Sequence, residues 1–488
     1  MEIYDNQQEQ RIKLRDFPPS FGYLRQQSQK VFVILFAIVL LFLSVKIKTP
    51  GFESVRPLHY AGIFLLFIGT IFSAPTFLKA MQRLKLTRPG WIIIIWLGLI
   101  YSYIFFETRL MPVRAFKDFL IGSSVDIGCM IVLLGYCLHG HIIGKNTVRP
   151  IAWMLLLFAT TSVCVAWLMY FNIITMKFMG HELVHNPAWG VRIHGWFGEP
   201  THLGTTAGVG ILMALYLLGT EQNRLQERMF LLAASVVLGS AIYGTGSRNG
   251  MLSAAVGVVL LFMFLKSGRR QVMLGAVGAV IGGVLLMSVM ISSFAPNQNV
   301  AAAVLISRES PISSAVEPKV SSAVEPKVSS VAEHMVSSVA EHINYGFRLN
   351  DYGGATIRLG RFENACRVYM HSDLREKLLG GGYGSLRMGH GTAMNDYLES
   401  LVDFGAIFVG IILGYLSYLS IFFLRIIRNG NGARAQTAIF GLILLSFGVV
   451  FAFNMSSFFT CFFHLASFTH ILACVFAIEL CVTARPMT

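Results

Sequence analysis

The sequence predicts an all-α polytopic membrane protein of about twelve transmembrane helices, with one large loop between the ninth and the tenth. Three observations lead there. The chain is strongly apolar, with a mean hydropathy of +0.63, 55% hydrophobic residues and only 13% charged ones. Apolar runs of about 18 residues or more recur, each long enough to cross a hydrocarbon core of about 30 Å as a helix. The period-2 alternation of a membrane barrel is absent, which leaves helices, because spanning backbone must satisfy its own hydrogen bonds.

The elements follow in order. Residues 1–30 form an N-terminal segment that is polar and holds Pro18 and Pro19, unlike a signal peptide. Nine apolar spans are then expected within residues 31–294, at about 31–47, 59–78, 90–107, 118–138, 150–171, 203–219, 229–243, 251–265 and 272–294. The first, with basic residues before it, serves as the insertion signal. The fourth carries Asp126, which is costly in lipid and therefore expected to face protein or water. The seventh and eighth are short and separated only by residues 244–250. A loop covers residues 295–403, and three spans close the chain within 404–482, at about 404–424, 435–453 and 459–482.

Orientation follows from Lys and Arg in the short connections. With the N-terminus placed in the cytoplasm, the cytoplasmic segments hold twenty of them and the opposite short loops nine. Both termini are therefore expected inside and the long loop outside. The net charge of +14 is largely this positive-inside signal and attraction to anionic lipid. Without a nucleic-acid-binding module it does not argue for DNA or RNA. Of the seven cysteines only Cys366 lies in the loop, and neither a disulfide framework nor a metal-ligand spacing is visible.

A loop of about 100 residues between spans is either functional or disordered. Its first half holds four eight-residue repeats over residues 313–344, SSAVEPKV twice, then SSVAEHMV and SSVAEHIN. Eight residues is not a heptad, and four short units cannot bury a core of their own. They read as a spacer. Residues 351–403 differ. Residues 361–377 predict an amphipathic helix with Phe362, Ala365, Cys366, Tyr369 and Leu374 on or near one face. The glycines of 380–384 predict a flexible turn that lets a substrate approach the backbone.

The order of Arg361, a helix, Leu379-Gly380-Gly381-Gly382-Tyr383-Gly384, then Asn395-Asp396-Tyr397-Leu398-Glu399 and Gly405 resembles the O-antigen polymerase and ligase superfamily. Thr245-Gly246-Ser247-Arg248-Asn249-Gly250 is similar to that family's short Ser-Arg-Gly-type motif, and Phe197-Gly198-Glu199-Pro200 to its polymerase branch. Glu199, His202, Arg248, Arg361, His390 and Asn395 all fall on the outer face of the topology drawn from basic residues.

The resemblance implies a GT-C-like glycosyltransferase of the bacterial inner membrane, with its loop in the periplasm. It implies a glycan on undecaprenyl diphosphate as donor, no cofactor and no metal. A chain-length regulator is an implied partner. Arginine grips phosphate oxygens through a planar fork and stays charged, so Arg248 and Arg361 are the candidate diphosphate clamp, with Arg358, Arg367 and Arg387 in reserve. Asn395 and Tyr383 complete the candidate binding residues. The attacking hydroxyl needs a base. Where the family places histidine before the asparagine this chain has Met394, so His390, Glu199, Asp396 and Glu399 are the alternatives. His464 and His470 in the last span read as bundle-internal polar groups. Trp189, Trp196, Tyr345, Tyr352 and Tyr383 could stack on a sugar or sit at the interface.

The reading is an O-antigen polymerase that joins lipid-linked repeat units. The first alternative is an O-antigen ligase that hands the polymer to lipid A-core. The second is a polysaccharide flippase or other transporter, against which stand the lack of an internal repeat and the off-centre loop. A membrane scaffold is a third.

Overall fold

The structure is a computed structural model. It describes residues 38, 57–109, 113–142, 146–171, 173–174, 177–178, 181–182, 193, 195–197, 200–220, 224–265, 268–290, 352–382, 386, 395–430, 432–452 and 465–484. The expected first span, apart from Ile38, and the octapeptide repeats lie outside the described residues.

The described chain is helical. In order run α1 (Pro57–Arg83), β1 (Leu84–Leu86), α2 (Arg88–Arg109), α3 (Val113–Ile142) and α4 (Val148–Tyr170). A small pair β2 (Lys177–Phe178) and β3 (His181–Glu182) and a 3-10 turn (Gly195–Phe197) follow. Then come α5 (Pro200–Thr220), α6 (Leu225–Thr245), α7 (Arg248–Phe264) and α8 (Arg269–Val277), which runs on through a π segment, Gly278–Gly282, to Met290. After the loop come α9 (Tyr352–His371), α10 (Leu374–Leu379), α11 (Asp396–Asn429), α12 (Ala433–Ala452), α13 (Leu465–Leu480) and β4 (Val482–Ala484).

The described residues of each predicted span from the second to the twelfth overlap a helix, α1 to α8 and α11 to α13, while residues 291–294, 453 and 459–464 lie outside the described residues. Among the described residues seven helices are long and apolar enough to cross a membrane: α2, α4, α5, α6, α8, α11 and α12. The chain is thus an all-α, multi-pass membrane protein. The two spans that look weakest in sequence form helices of 21 and 17 residues.

Helix α5 is the centre. It is apolar or small all round, the pattern of a fully buried helix, and every residue from His202 to Gly219 is buried. Helices α4, α6, α7 and α8 pack against it, and α12 and α13 also touch it. Small residues let backbones touch: a Cβ on Gly250 of α7 would stand 2.4 Å from the Gly204 carbonyl oxygen of α5. At the other end of α5, the Tyr216 hydroxyl donates to Gln436 at the start of α12 (3.3 Å).

Buried polar ties fix the remaining helices. Asp126 is 1% exposed and accepts a hydrogen bond from the Tyr101 hydroxyl at 2.8 Å, so it faces protein, as its cost in lipid requires. Tyr415 of α11 bonds the Cys474 thiol of α13. Thr147 donates to Glu479 at 2.9 Å, and antiparallel β1 and β4 join the same end of the bundle.

The loop helix departs from expectation. It starts nine residues earlier than predicted, at Tyr352, and ends at His371. Asp373 then caps α10, its carboxylate accepting from Glu376 N–H at 2.7 Å. An Asp favours that cap over continued helix. Ala365 is buried, packed with Val368 and Tyr369 against Leu386, Leu398 and Val402. Phe362 and Leu374, expected on that face, are exposed instead.

Candidate functional site

Helix α6 turns into α7 through Gly246 and Ser247 alone. The Ser247 hydroxyl caps α7 by accepting from Gly250 N–H (3.2 Å), and Thr245 Oγ1 accepts from Ser247 N–H (3.3 Å). This turn puts Arg248 in the first helical position of α7, exposed, with Ser247 and Asn249 buried on either side. An arginine there opposes the helix dipole, which favours anions at an N-terminus. Helix stability does not account for it.

The start of α5 lies against the start of α7, since Gly204 and Gly250 are in backbone contact and a Cβ on Gly208 would meet the Gly250 carbonyl at 2.9 Å. Both helices therefore aim N-termini at this end of the bundle. A third does so too. Tyr397, at the start of α11, donates to the Val449 carbonyl near the end of α12 (3.3 Å), and Phe447, half a turn earlier on α12, reaches Gly208 of α5. Buried His202, Thr205 and Thr206 line the first turns of α5, and Trp196 and Phe197 of the 3-10 turn pack beside them.

Asn395 is the N-cap of α11, its side-chain oxygen accepting from Leu398 N–H at 3.0 Å. One turn further in, Glu399 is 4% exposed, with Ser400 and Asp403 equally buried. Asp403 accepts from Leu386 N–H at 3.2 Å. Helix α11 then breaks at Gly405, where φ is 79° and ψ 176°.

The break strands the carbonyls of Val402, Asp403 and Phe404 at the end of the first half-helix. All three are satisfied from outside. Gly381 N–H donates to Val402 (2.9 Å) and Gly382 N–H to Asp403 (2.9 Å). The Tyr103 hydroxyl of α2 donates to Phe404 (2.9 Å) and lies 3.2 Å from the Leu379 carbonyl. Gly380 (φ 91°) and Gly405 are there because nothing larger fits: a Cβ on Gly380 would meet the Asp403 carbonyl oxygen at 2.2 Å, and one on Gly405 the Leu378 carbonyl oxygen at 2.4 Å. The glycine turn is thus a rigid joint between loop and bundle. At Gly380 the space is filled by the chain's own backbone, which leaves a substrate no approach at that glycine, while residues 383–384 of the expected turn lie outside the described residues.

Arg361 lies on α9 one turn before Ala365, on the side packed against α11, and is half-buried. Arg367 lies on the other side, exposed and paired with Glu363 at 3.1 Å. Arg358 belongs to the first half of α9 and Asp396 is the first residue of α11. Glu199, Tyr383, Arg387, His390 and Met394 lie outside the described residues.

The structure therefore brings Arg248 and Asn395 to one end of the bundle, and sets Glu399 one turn inside it. Arg361 joins this group through the packing of α9 on α11. Sequence reasoning missed Asp403 and Tyr103. An acid two residues before a glycine that ends a half-helix is the available signal for Asp403. Nothing in a tyrosine 276 residues from Leu379 marked the contact of Tyr103. Among the described residues, no three of His, Cys, Asp and Glu come together as a metal-binding group.

No family model matches the chain, and no curated protein matches it. The resemblance to the O-antigen polymerase and ligase superfamily rests on its motifs.

Proposed function

We propose that the chain is an O-antigen polymerase with twelve spans and a GT-C-like architecture, working at the periplasmic face of the bacterial inner membrane. Its donor is a growing glycan on undecaprenyl diphosphate, its acceptor the terminal sugar of a second lipid-linked repeat unit. The acceptor hydroxyl oxygen attacks the anomeric carbon, and the bond from that carbon to the diphosphate oxygen breaks. The hydroxyl proton passes to a carboxylate, and undecaprenyl diphosphate leaves. A single displacement inverts the anomeric centre.

The observation that carries the reading is the exposed Arg248 at the N-terminus of α7, at the bundle end where α5 and α11 also begin. Fixed positive charge and oriented N–H groups stabilise the negative charge that grows on the departing diphosphate. Arg361 on the packed side of α9 supplies a second cation, with Arg358 on the same helix. Glu399 is the carboxylate in hand for the proton, buried one turn inside the Asn395 cap. Asp396, Glu199 and His390 are the other candidates for that role, and Tyr383 is a candidate sugar contact.

Reconstitution with a synthetic undecaprenyl-diphosphate-linked repeat unit tests this. The expected product is a ladder of increasing length, absent with Arg248→Ala and partly retained with Arg248→Lys. A conjugate formed only when lipid A-core is added would make the chain a ligase. Passage of the repeat unit across the bilayer without elongation would make it a flippase.

A further inference from the structure

Helix α9 has two faces. Ala365, Val368 and Tyr369 pack against α11. Around the helix from them, Leu359, Phe362, Cys366 and Met370 fall on one strip at spacings of three and four. Leu359 is 67% and Met370 69% exposed, and α10 prolongs the apolar surface with Leu374 at 73% and exposed Leu378.

The depth of this surface can be read from α11. Beyond Gly405 its exposed side is a stripe of Ile407, Gly410, Leu413, Ser417, Ile421 and Leu424, followed by exposed Arg425 and Arg428. From Ile407 to Leu424 the stripe is about 27 Å long at 1.5 Å per residue, close to the thickness of a hydrocarbon core, about 30 Å. With the arginines at one boundary, the other falls at Gly405. Helix α10 meets Gly405 directly, Leu378 O lying 2.4 Å from where a Cβ would stand. Helix α9 packs on Leu398 and Val402, about 5–10 Å further out by the same rise. That is the headgroup layer.

We propose that α9 and α10 lie on the bilayer as an interfacial helix pair, with the Leu359, Phe362, Met370, Leu374 and Leu378 strip sunk into the boundary between headgroups and acyl chains. The occupant is phospholipid. Through Leu378 of α10 the surface reaches the Gly405 end of the exposed apolar stripe of α11. The charges beside it are mixed, Arg367 being paired with Glu363 and Arg375 lying between Asp373 and Glu376, so its hold on phospholipid is apolar. One consequence rests on the function proposed above: Arg361 is held at the depth of a lipid diphosphate. The depth itself does not rest on that function, and its test needs no glycosyl transfer.

The full chain is placed in nanodiscs of phosphatidylethanolamine and phosphatidylglycerol, with a fluorescent non-natural amino acid at position 370 or, separately, 374. Both positions are exposed, so the fold tolerates the label. Phospholipids carrying a nitroxide on an upper acyl carbon are expected to quench both positions several-fold more than aqueous iodide does. Quenching chiefly by iodide would put the strip in water and overturn the proposal. Protection from both quenchers would mean that protein covers the strip, and would overturn it equally.

Discussion

Replacing Gly405 by alanine is expected to unlock the joint between the loop helices and α11. Gly405 has φ 79° and ψ 176°, a region almost confined to glycine, where an L residue costs about 1–3 kcal/mol. The new Cβ would stand 2.4 Å from the Leu378 carbonyl oxygen and 2.5 Å from the Gly380 nitrogen. Both obstacles are backbone, so the glycine turn must retreat. Retreat breaks the bonds from Gly381 to Val402 and from Gly382 to Asp403, each contributing about 1 kcal/mol net. The total is about 3–5 kcal/mol, which is two to more than three powers of ten in a local opening constant at about 1.4 kcal/mol each. Amide hydrogen exchange of a peptide covering residues 380–386 reads that opening directly. Gly410→Ala is the control, since it lies in the same helix with no atom within 4 Å of its would-be Cβ. Alanine there gains about 0.5–1 kcal/mol of helix preference and leaves the peptide slow. Exchange in Gly405→Ala as slow as in wild type would refute the account of the joint.

Two further outcomes follow from packing. Asp126→Leu strands the Tyr101 hydroxyl in the bundle and is expected to cost about 1–3 kcal/mol, while Asp126→Asn keeps an acceptor for it and costs less. Thermal unfolding in detergent compares the two, and equal midpoints would count against the tie. Gly250→Val places a branched side chain where a Cβ already meets the Gly204 carbonyl at 2.4 Å. Overpacking of this kind costs about 1–3 kcal/mol or more, so a lowered melting temperature with the α5–α7 crossing disturbed is expected, and an unchanged one would refute the close approach.

The helices of the bundle were legible in advance because hydropathy is a one-dimensional property. A run of apolar residues long enough to span a bilayer declares itself without knowledge of its neighbours. The turn at Gly246 and Ser247 was legible for a similar reason, as two short apolar runs flank a compact polar and glycine motif. Helix α9 was placed with the wrong limits. Its first turns, from Tyr352, include Gly353 and Gly354, which argue against helix, and Asp373 looks like a mid-helix acid until it is seen to cap α10.

The candidate site divides in the same way. Arg248, Arg361, Asn395 and Glu399 could be nominated from residue type and motif order, because chemistry restricts which side chains hold a diphosphate or take a proton. The basic-residue topology puts Arg248, Arg361 and Asn395 on one face, but it does not say which helices meet there. The gathering of α5, α7 and α11 at one end depends on Gly204 meeting Gly250 and on Tyr397 meeting Val449. The role of Gly380 is not legible either, since a glycine kept for close backbone contact and one kept for flexibility look alike in a string of letters.

By itself, the sequence determined the class of the molecule, the positions of most of the described spanning helices and the residue types that could act, since each follows from composition or local pattern. Only the tertiary structure decided which polar atoms have partners. The carbonyls freed at Gly405 are capped by Gly381, Gly382 and Tyr103, and one carboxylate oxygen of Asp126 is paired with Tyr101. Hydrogen-bond satisfaction in a bundle is settled between helices distant in sequence, and no local pattern encodes the partner.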